Sequence, residues 1–319
     1  MLSEKVFQMF IAGTGERLDY ALKCGLGGVI FFTRDIQTKE QFTNLIRNIK
    51  QKSSVPPFLS IDQEGGRVER TEHIHERYLS PMYAYEKGYE FLSQQTKSIA
   101  DELNSYGINM NFAPCLDVNS NPNNPIIGER AFSDNPTDVT KGYDTVSNIY
   151  RESHIIPVVK HFPGHGDADK DSHKELPVID LPFEEMERTH IFPFRHAIAQ
   201  GAEAVMIAHL HCKCFDSIET PTSLSKNCID YLRNKLNFKG VTISDDMYMK
   251  GLQKYTLDEA CLMGIKAGLN LFIYRDCSDE TLKVIETVIK FAEKDDALRE
   301  KIEESYNKII SLKSKYGII

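Results

Sequence analysis

The chain has no hydrophobic run long enough to cross a membrane. Its longest uncharged apolar stretches, such as residues 25–33, reach about half of the roughly 20 residues that a membrane-spanning helix needs. Residues 1–5 also lack the basic region, apolar core and small-residue cleavage site of a secretory signal. We therefore expect a cytoplasmic protein with no membrane partner.

Cysteine is too sparse for a disulfide framework. The 319 residues contain seven cysteines, an odd number, spread from Cys24 to Cys277, which is typical of reduced thiols. Cys212 and Cys214 could act as soft metal ligands, but no second pair with zinc-finger spacing follows them, so free thiols are the favoured interpretation.

An excess of basic residues is also lacking. Thirty-eight Lys and Arg stand against 46 Asp and Glu, which gives a net charge of −8. Because this charge repels the phosphates of nucleic acids, we expect no nucleic-acid partner. A small neutral or cationic ligand is easier to accommodate.

Short β-branched and aromatic runs alternate with segments of helical period, a pattern that predicts parallel strands joined by crossover helices. Eight strands are predicted, at residues 5–12, 28–33, 57–62, 107–114, 155–161, 204–209, 240–245 and 270–275. The predicted helices include residues 38–52, 89–106, 138–151, 183–200, 225–236 and 257–267. A last helical segment, residues 279–315, is expected to pack outside the sheet.

Eight strand–helix units favour a (β/α)8 TIM barrel, whose typical length is ~250 residues. A doubly wound open sheet is the alternative, because a count of strands does not show that they close. No internal repeat or Gly/Ser-rich linker divides the chain, so we expect a single catalytic domain over residues 1–319. Two irregular stretches, residues 115–136 and 163–182, are long enough to be functional or disordered loops.

Polar residues with chemical potential follow the predicted strands. In a TIM barrel the C-terminal ends of the strands carry the active site, so these residues should converge there. The residues concerned are Asp62 and Arg70 after the third strand, Asp117 and Arg130 after the fourth, Lys160 and His161 at the end of the fifth, His209 and His211 after the sixth, and Asp245 and Asp246 after the seventh.

The loop after the fifth strand predicts an acid/base histidine. A turn rich in Pro and Gly brings Lys160 and His161 near His173, and Asp171 precedes that histidine by two residues. Such an Asp can accept the ring N–H, which orients the imidazole and stabilises its charged form. A solvated polar loop is the alternative interpretation.

A metal site is the competing interpretation of two patterns. Asp and His alternate over residues 167–173, but an EF-hand loop counted from residue 167 needs Gly and Glu where Ser172 and Val178 stand. His209 and His211 resemble the histidine pair of metal-dependent barrel hydrolases, although that pair usually lies near the first strand. We favour a hydrogen-bonded His209 and a surface His211, and predict no metal and no cofactor.

Asp245 and Asp246 lie where the buried run of residues 241–243 meets a turn. By the alternation of a strand, one should point inward and the other away. An inward carboxylate can serve as a nucleophile toward a sugar carbon, whereas the other can cap the following helix. Asp62 and Arg70 can likewise bind a polar ligand or form an ion pair at the rim of the barrel.

At these residues the sequence resembles glycoside hydrolase family 3, and within it the single-domain cytoplasmic β-N-acetylglucosaminidases of the cell-wall recycling type. The resemblance covers nearly the whole chain. Its most specific segments lie in family order at predicted strand ends: residues 61–70 (IDQEGGRVER), 128–133 (GERAFS), 160–166 (KHFPGHG) with 171–173 (DSH), and 244–246 (SDD).

The resemblance implies a retaining, two-step hydrolysis of terminal β-linked N-acetylglucosamine without a cofactor. Asp245 matches the nucleophile, His173 the acid/base and Asp171 the partner of that histidine. The positions that match the sugar-binding residues are Asp62, Arg70, Arg130, Lys160 and His161, with His165 and Met206 supporting or lining the pocket. The implied partner is a small amino-sugar glycoside, either a muropeptide or another oligosaccharide.

Two departures remain, and two further rival functions stand beside the metal-dependent barrel hydrolase. The turn after the expected nucleophile reads Met247-Tyr248-Met249, where relatives commonly carry Leu and Ser, and the chain has no tryptophan to stack on a sugar. An N-acetylglucosaminide phosphorylase of the same family would share the histidine but transfer the sugar to phosphate. A non-catalytic sugar-binding protein would leave the glycoside intact. The sequence leaves the oligomeric state open.

Overall fold

The computed structural model describes residues 1–168 and 176–319. Eight parallel strands form a closed barrel in the order β1-β2-β3-β4-β5-β7-β9-β10. The strands of the described residues are β1 (Phe10–Ala12), β2 (Gly28–Phe31), β3 (Phe58–Ile61), β4 (Met110–Asn111), β5 (Ile156–Phe162), β6 (Val178–Ile179), β7 (Ala204–Ile207), β8 (His211–Cys212), β9 (Val241–Asp246) and β10 (Leu271–Tyr274). The closure confirms the predicted TIM barrel and excludes the open sheet.

Helices surround this barrel. They are α1 (Leu2–Gln8), α2 (Leu18–Lys23), α3 (Lys39–Lys52), α4 (Pro81–Glu86), α5 (Tyr89–Tyr106), α6 (Pro136–Glu152), α7 (Phe183–Glu185), α8 (Phe192–Ala199), α9 (Lys226–Asp230), α10 (Leu257–Ala267), α11 (Asp279–Ala292) and α12 (Asp296–Lys315). Short π-helical segments, Met186–His190 and Tyr231–Lys235, follow α7 and α9. No helix in this part of the chain is long and apolar enough to cross a bilayer.

Local sequence signals fix the ends of several helices. The Thr256 side chain accepts from the backbone N–H of Glu259, whose carboxylate accepts from the backbone N–H of Thr256, so α10 begins with a capping box. The same helix ends at Gly268, whose φ of 115° favours glycine. The α3 helix begins after Thr38, whose side chain accepts from the backbone N–H of Gln41.

Aromatic side chains close the barrel where its first and last strands meet. Phe10 of β1 pairs in register with Phe272 of β10, and their rings stack with centroids 5.8 Å apart. The Phe10 ring also stacks on Tyr274, at 5.7 Å. All three side chains are fully buried, so the seam between the chain's two ends is part of the core.

Helix α12 packs at the N-terminal ends of the strands. Lys313 Nζ donates to Gln8 Oε1 at 2.7 Å and to the carbonyl of Pro56, two residues before β3, at 2.8 Å. Lys315 Nζ lies 2.8 Å from Glu203 Oε1, directly before β7. The helical segment expected outside the sheet therefore supports the end of the barrel opposite the predicted active site.

Four predicted segments are wrong in detail, and one strand pair was missed. Residues 5–12 are not one strand, because α1 occupies residues 2–8 and packs against α11 and α12. The π-helical segments interrupt the single helices predicted for residues 183–200 and 225–236, and the segment 279–315 is two helices. The parallel pair β6 and β8 was not predicted at all.

Candidate active site

A cavity of about 250 Å³ lies beyond the C-terminal ends of the barrel strands. It collects all the predicted site residues that the structure describes: Asp62, Arg70, Arg130, Lys160, His161, His165, Met206 and Asp245. Asp171 and His173, predicted as the acid/base pair, lie outside the described residues. The convergence expected from the ends of the strands is thus present for the predicted sugar-binding residues and the expected nucleophile.

A larger groove, of about 930 Å³, lies elsewhere on the surface and is lined by residues such as Tyr85, Tyr89, Phe132 and Asp134. It contains none of the predicted site residues. We assign the candidate site to the smaller cavity because that cavity gathers the charged and titratable side chains.

Glu64 lies behind the cavity wall and binds two of the cations that line it. Its carboxylate accepts two hydrogen bonds from Arg130, each of 2.9 Å, and lies 2.5 Å from Lys160 Nζ. Burial would raise the pKa of the Glu64 carboxyl, but Arg130 and Lys160 together hold it well below its usual range. The carboxylate therefore stays ionised and fixes two cations at the floor of the cavity.

Asp62 connects the same lysine to the rim. Lys160 Nζ donates to Asp62 Oδ1 at 2.7 Å, and Arg70 approaches Asp62 Oδ2 at 3.9 Å. Burial would lower the pKa of Lys160, but Asp62 and Glu64 raise it, so the lysine is charged. Asp62 and Arg70 thus form the ion pair considered in the sequence analysis and also face the cavity.

Asp117 orients two histidines from beneath the cavity. Its carboxylate lies 2.6 Å from His161 Nδ1 and accepts the backbone N–H of His165 at 2.6 Å. Arg130 Nη2 lies 3.3 Å from His161 Nε2, and since a guanidinium only donates, the proton of His161 belongs on Nδ1. Gly166 permits this close packing, because a Cβ there would lie 1.6 Å from the carbonyl oxygen of Val118.

The imidazole ring of His165 is buried. Neither of its ring nitrogens has a hydrogen-bond partner among the described residues, although the side chain lines the cavity. Burial lowers the pKa of this histidine to about 4. A neutral imidazole with free polar atoms at a cavity wall is available to a ligand.

Asp245 and Asp246 both line the cavity, so the expectation that one would point away is wrong. Burial raises the pKa of Asp245, but His161 and His209 outweigh it and lower that pKa. Burial raises the pKa of Asp246 to about 6. Asp246 Oδ1 accepts the backbone N–H groups of Tyr248 and Arg275, which fixes the turn after β9 instead of capping a helix.

The aromatic side chains near the cavity are already engaged. Phe32 lines it, but the guanidinium carbons of Arg34 and Arg70 lie 5.1 and 5.8 Å from its ring centroid. Tyr248 lies in the unusual turn after the expected nucleophile. Its hydroxyl group is hydrogen-bonded to the hydroxyl groups of Ser278 and Thr281, away from the cavity. Met249 is the member of that turn that lines the cavity.

The histidines of the sixth barrel strand make hydrogen bonds within the protein. His209 Nδ1 lies 2.7 Å from Ser223 Oγ, as expected. His211 is buried, not on the surface, because it pairs with Val178 and contacts Thr220 through Nδ1. The expectation of a surface His211 is therefore wrong.

Within residues 1–168 and 176–319, one group of side chains places three potential metal ligands within 4.8 Å of one another, namely Cys115, Asp117 and His161. The Asp117 carboxylate already binds His161 Nδ1, and the Cys115 thiol donates to it at 3.1 Å. The Arg130 guanidinium beside His161 adds a positive charge. These contacts make the group a hydrogen-bonded support and a poor cation site.

Glu64 is a structural member of the site that the sequence did not single out, whereas Asp117 was among the polar residues expected at the strand ends. The available signal was position, since Glu64 stands two residues after Asp62 in the segment 61–70. Buried charges need partners, so a further acid was to be expected among the polar residues at the strand ends.

Residues 1–312 match the Glycosyl hydrolase family 3 N terminal domain. The chain belongs to glycosyl hydrolase family 3. This family 3 chain is 35% identical over 253 residues to the beta-hexosaminidase A of Pseudoalteromonas piscicida, with 72% of the chain and 42% of the relative covered. It is 33% identical over 232 residues to the beta-hexosaminidase of Tolumonas auensis, with 71% and 68% covered.

The fold of the family 3 chain also matches solved structures. The glycoside hydrolase family 3 beta-N-acetylglucosaminidase from Paenibacillus sp. str. FPU-7 superposes with a TM-score of 0.94 at 30% identity. The match covers 100% of this chain and 63% of that protein. The chain therefore spans less than two thirds of this structure and of the first curated relative.

Proposed function

We propose that the family 3 chain is a retaining exo-β-N-acetylglucosaminidase. The observation that carries the proposal is the position of Asp245, a carboxylate of lowered pKa at the wall of a charged cavity of about 250 Å³. This volume is below the ~300–1,000 Å³ of drug-sized ligand sites and suits one terminal sugar residue. The names of the relatives support the same activity.

The reaction proceeds in two steps. In the first, the Asp245 carboxylate attacks the anomeric carbon while His173 protonates the departing glycosidic oxygen. In the second, a water gives a proton to His173 and attacks the anomeric carbon, which releases Asp245. The resemblance assigns Asp171 as the residue that orients His173. The roles of His173 and Asp171 rest on the sequence resemblance.

The cavity wall holds the sugar by charge-assisted hydrogen bonds. Lys160 and Asp62 line the cavity as a hydrogen-bonded pair, and they bind hydroxyl groups of the sugar. Arg70, Arg130 and His161 complete the contacts to the hydroxyl and N-acetyl groups. Met206 and His165 line the pocket, while Glu64 and Asp117 act through the residues they position.

An aryl β-N-acetylglucosaminide that releases a coloured phenol tests the activity. Asp245→Ala should lower kcat/KM by about 10⁴-fold, because no covalent intermediate can form. Asp134→Asn, in the larger groove, should behave as wild type. Wild-type turnover by Asp245→Ala, or loss of activity in Asp134→Asn alone, would reject the assignment.

A mechanism-based fluorosugar of the N-acetylglucosamine series tests the covalent step, since it should label Asp245 and the labelled peptide can be identified by mass. Repeating the turnover assay with inorganic phosphate separates hydrolase from phosphorylase. Free N-acetylglucosamine supports the proposal, whereas its 1-phosphate would replace it by the phosphorylase. Activity that disappears with a chelator and returns with a metal would instead favour the metal-dependent hydrolase.

The natural substrate is proposed to be a peptidoglycan fragment in the cytoplasm. The resemblance to members of the cell-wall recycling type supports the substrate, and seven free cysteines suit a reducing compartment. Comparing kcat/KM for N-acetylglucosaminyl-anhydromuramyl peptides with that for chitobiose tests the choice. A higher value for chitobiose would argue against the muropeptide.

A further inference from the structure

Two cysteines outside the cavity are in contact with each other. The Sγ atoms of Cys212 and Cys214 lie 3.3 Å apart, in a sequence where Lys213 alone separates the two residues. Cys212 is buried at the end of β8, whereas Cys214 is half-buried and reachable from solvent. Neither thiol has a role in the proposed reaction.

The surrounding contacts hold this turn in place. The backbone N–H of Lys213 donates to the carbonyl of Ile179, which ties the turn to β6. On its other side, the Asp216 carboxylate accepts from Ser225 Oγ at 2.5 Å and from Asn227 Nδ2 at 2.8 Å. The two sulfurs therefore meet because the backbone on both sides is fixed, and a shift of about 1 Å would reach the ~2 Å of an S–S bond.

From this geometry we propose that Cys212 and Cys214 are a redox-active dithiol, which a low-molecular-weight disulfide oxidises reversibly. The Cys214 thiolate attacks one sulfur of glutathione disulfide and displaces one glutathione thiolate. Cys212 then loses its proton, and its sulfur attacks Sγ of Cys214 and displaces the second glutathione. Two protein thiols and one glutathione disulfide become one protein disulfide and two glutathione thiols.

The order of attack follows from exposure. Cys212 is buried and Cys214 is half-buried, so Cys214 is the sulfur that a disulfide in solution reaches first. The hydrogen bond between the two thiols acts in the same direction, because it lowers the pKa of Cys214. A ring that spans one intervening residue is strained, so reduced glutathione should reopen it.

The dithiol is connected to the cavity through the small sheet. Cys212 pairs with Ile179, and His211 with Val178, so β8 holds β6, which residues 176 and 177 separate from the segment that contains His173. Closing the disulfide shifts β8 and with it the anchor of that segment. We therefore expect a lower kcat for the oxidised protein, a consequence that rests on the proposed function.

The bond can be detected without any activity. Trypsin cleaves after Lys213, so the reduced and alkylated protein yields residues 196–213 and 214–226 as separate peptides. The protein is incubated in glutathione buffers of rising oxidised fraction, quenched with acid, alkylated and digested. In the disulfide form the two peptides stay linked, and neither sulfur is alkylated. Adding reduced glutathione should separate them again.

Linked peptides 196–213 and 214–226 in the wild type support the dithiol, and Cys24→Ser, which removes another half-buried thiol, should leave the link intact. Cys214→Ser should abolish it. Complete alkylation of both cysteines in pure glutathione disulfide would overturn the proposal. So would a link to peptide 227–233, because that peptide contains the buried Cys228.

Activity is measured on the same samples. We expect about a tenfold lower kcat in the linked form, as from a small displacement near a catalytic group, and no response to glutathione disulfide in Cys214→Ser. A link with unchanged kcat would refute the coupling to the cavity while the dithiol stands. If the reduced protein shows no glycosidase activity, the proposed function fails and the peptide result still decides the dithiol.

Discussion

Glu64 compensates two cations that would otherwise face each other across the floor of the cavity. Arg130 and Lys160 both bind its carboxylate, and all three side chains are buried. Glu64 thus supports the binding residues without needing to touch the ligand. Its effect on stability should accordingly exceed that of any surface acid.

Glu64→Ala should lower the free energy of unfolding by about 3–5 kcal/mol, because it leaves the buried Arg130 without a carboxylate partner and leaves Lys160 with Asp62 alone. Denaturant unfolding monitored by circular dichroism measures the loss. Glu72→Ala is the matched control, since Glu72 pairs with the exposed Arg77 and its removal should cost under about 1 kcal/mol. Equal losses in the two variants would contradict the central role of Glu64.

The raised pKa of Asp246 predicts that the stability of the folded protein depends on pH. Burial raises its pKa from 3.8 to about 6, so the folded protein holds this proton more tightly than the unfolded chain. The stability from this group is full below about pH 4 and is lost as the pH rises through about 6. Asp246→Asn, which keeps an acceptor for Tyr248 and Arg275, removes that loss.

The stability of Asp246→Asn relative to wild type should therefore rise by about 2 kcal/mol between pH 4 and pH 7. Unfolding curves of both proteins across this range measure the difference. Asp276→Asn, which changes an exposed carboxylate in an ion pair with Arg34, should show no comparable trend. A constant difference for Asp246→Asn would mean that the carboxyl is not perturbed.

For individual residues, the sequence predicted which side chains meet but not which partners neutralise their buried charges. Asp62, Lys160 and Asp245 follow strand ends, and barrel topology alone brings such residues together. Glu64 and Asp117 depend on side-chain directions within loops, which strand periodicity does not specify. Strand alternation also does not apply to Asp245 and Asp246, because β9 ends at Asp246 and passes into a turn. Both residues therefore line the cavity.

Among the elements, α12 carries an unusual buried cation. Lys313 donates to Gln8 and Pro56, and its Nζ lies 4.9 Å from the centroid of the Phe58 ring. Burial lowers the pKa of Lys313 from 10.5 to about 7. The folded protein therefore binds this proton less tightly than the unfolded chain, and stability from this group rises between about pH 7 and 10.5.

Lys313→Met keeps an unbranched, slightly shorter side chain and removes the titration. The wild type should gain about 3–4 kcal/mol of stability relative to this variant between pH 7 and pH 10, whatever the offset between them at pH 7. Chemical unfolding at several pH values measures the slope. Lys308→Met, on the same helix but more exposed, is the control and should give a smaller slope. Parallel curves for wild type and Lys313→Met would contradict the prediction.

The elements that sequence failed to predict depend on tertiary contacts. Residues 5–12 are mostly apolar and were predicted as one strand, whereas their first part belongs to α1, which packs against α11 and α12. Strands β6 and β8 have two residues each, too few for a period of two to register. By contrast, α5 and α10 have the predicted bounds, because each combines a clear apolar stripe with a glycine at its end.

For the whole molecule, parallel strands alternating with helices were sufficient to predict the barrel, and only the pairing of β1 with β10 had to be observed. That closure turns all eight strand ends toward one cavity, while α12 packs at the other end. Ligand binding at the cavity should therefore stabilise the entire barrel and not one loop.

N-acetylglucosamine, the expected product, should raise the unfolding temperature. A ligand at 100 times its Kd adds about 2.7 kcal/mol when it binds only the folded state, which corresponds to a shift of a few degrees. Glucose, which lacks the N-acetyl group, should give a clearly smaller shift at the same concentration. Asp62→Ala should lose most of the response, because Asp62 then neither contacts a hydroxyl nor holds Lys160. Equal shifts with both sugars, or a full response in Asp62→Ala, would place sugar binding outside the cavity at the strand ends.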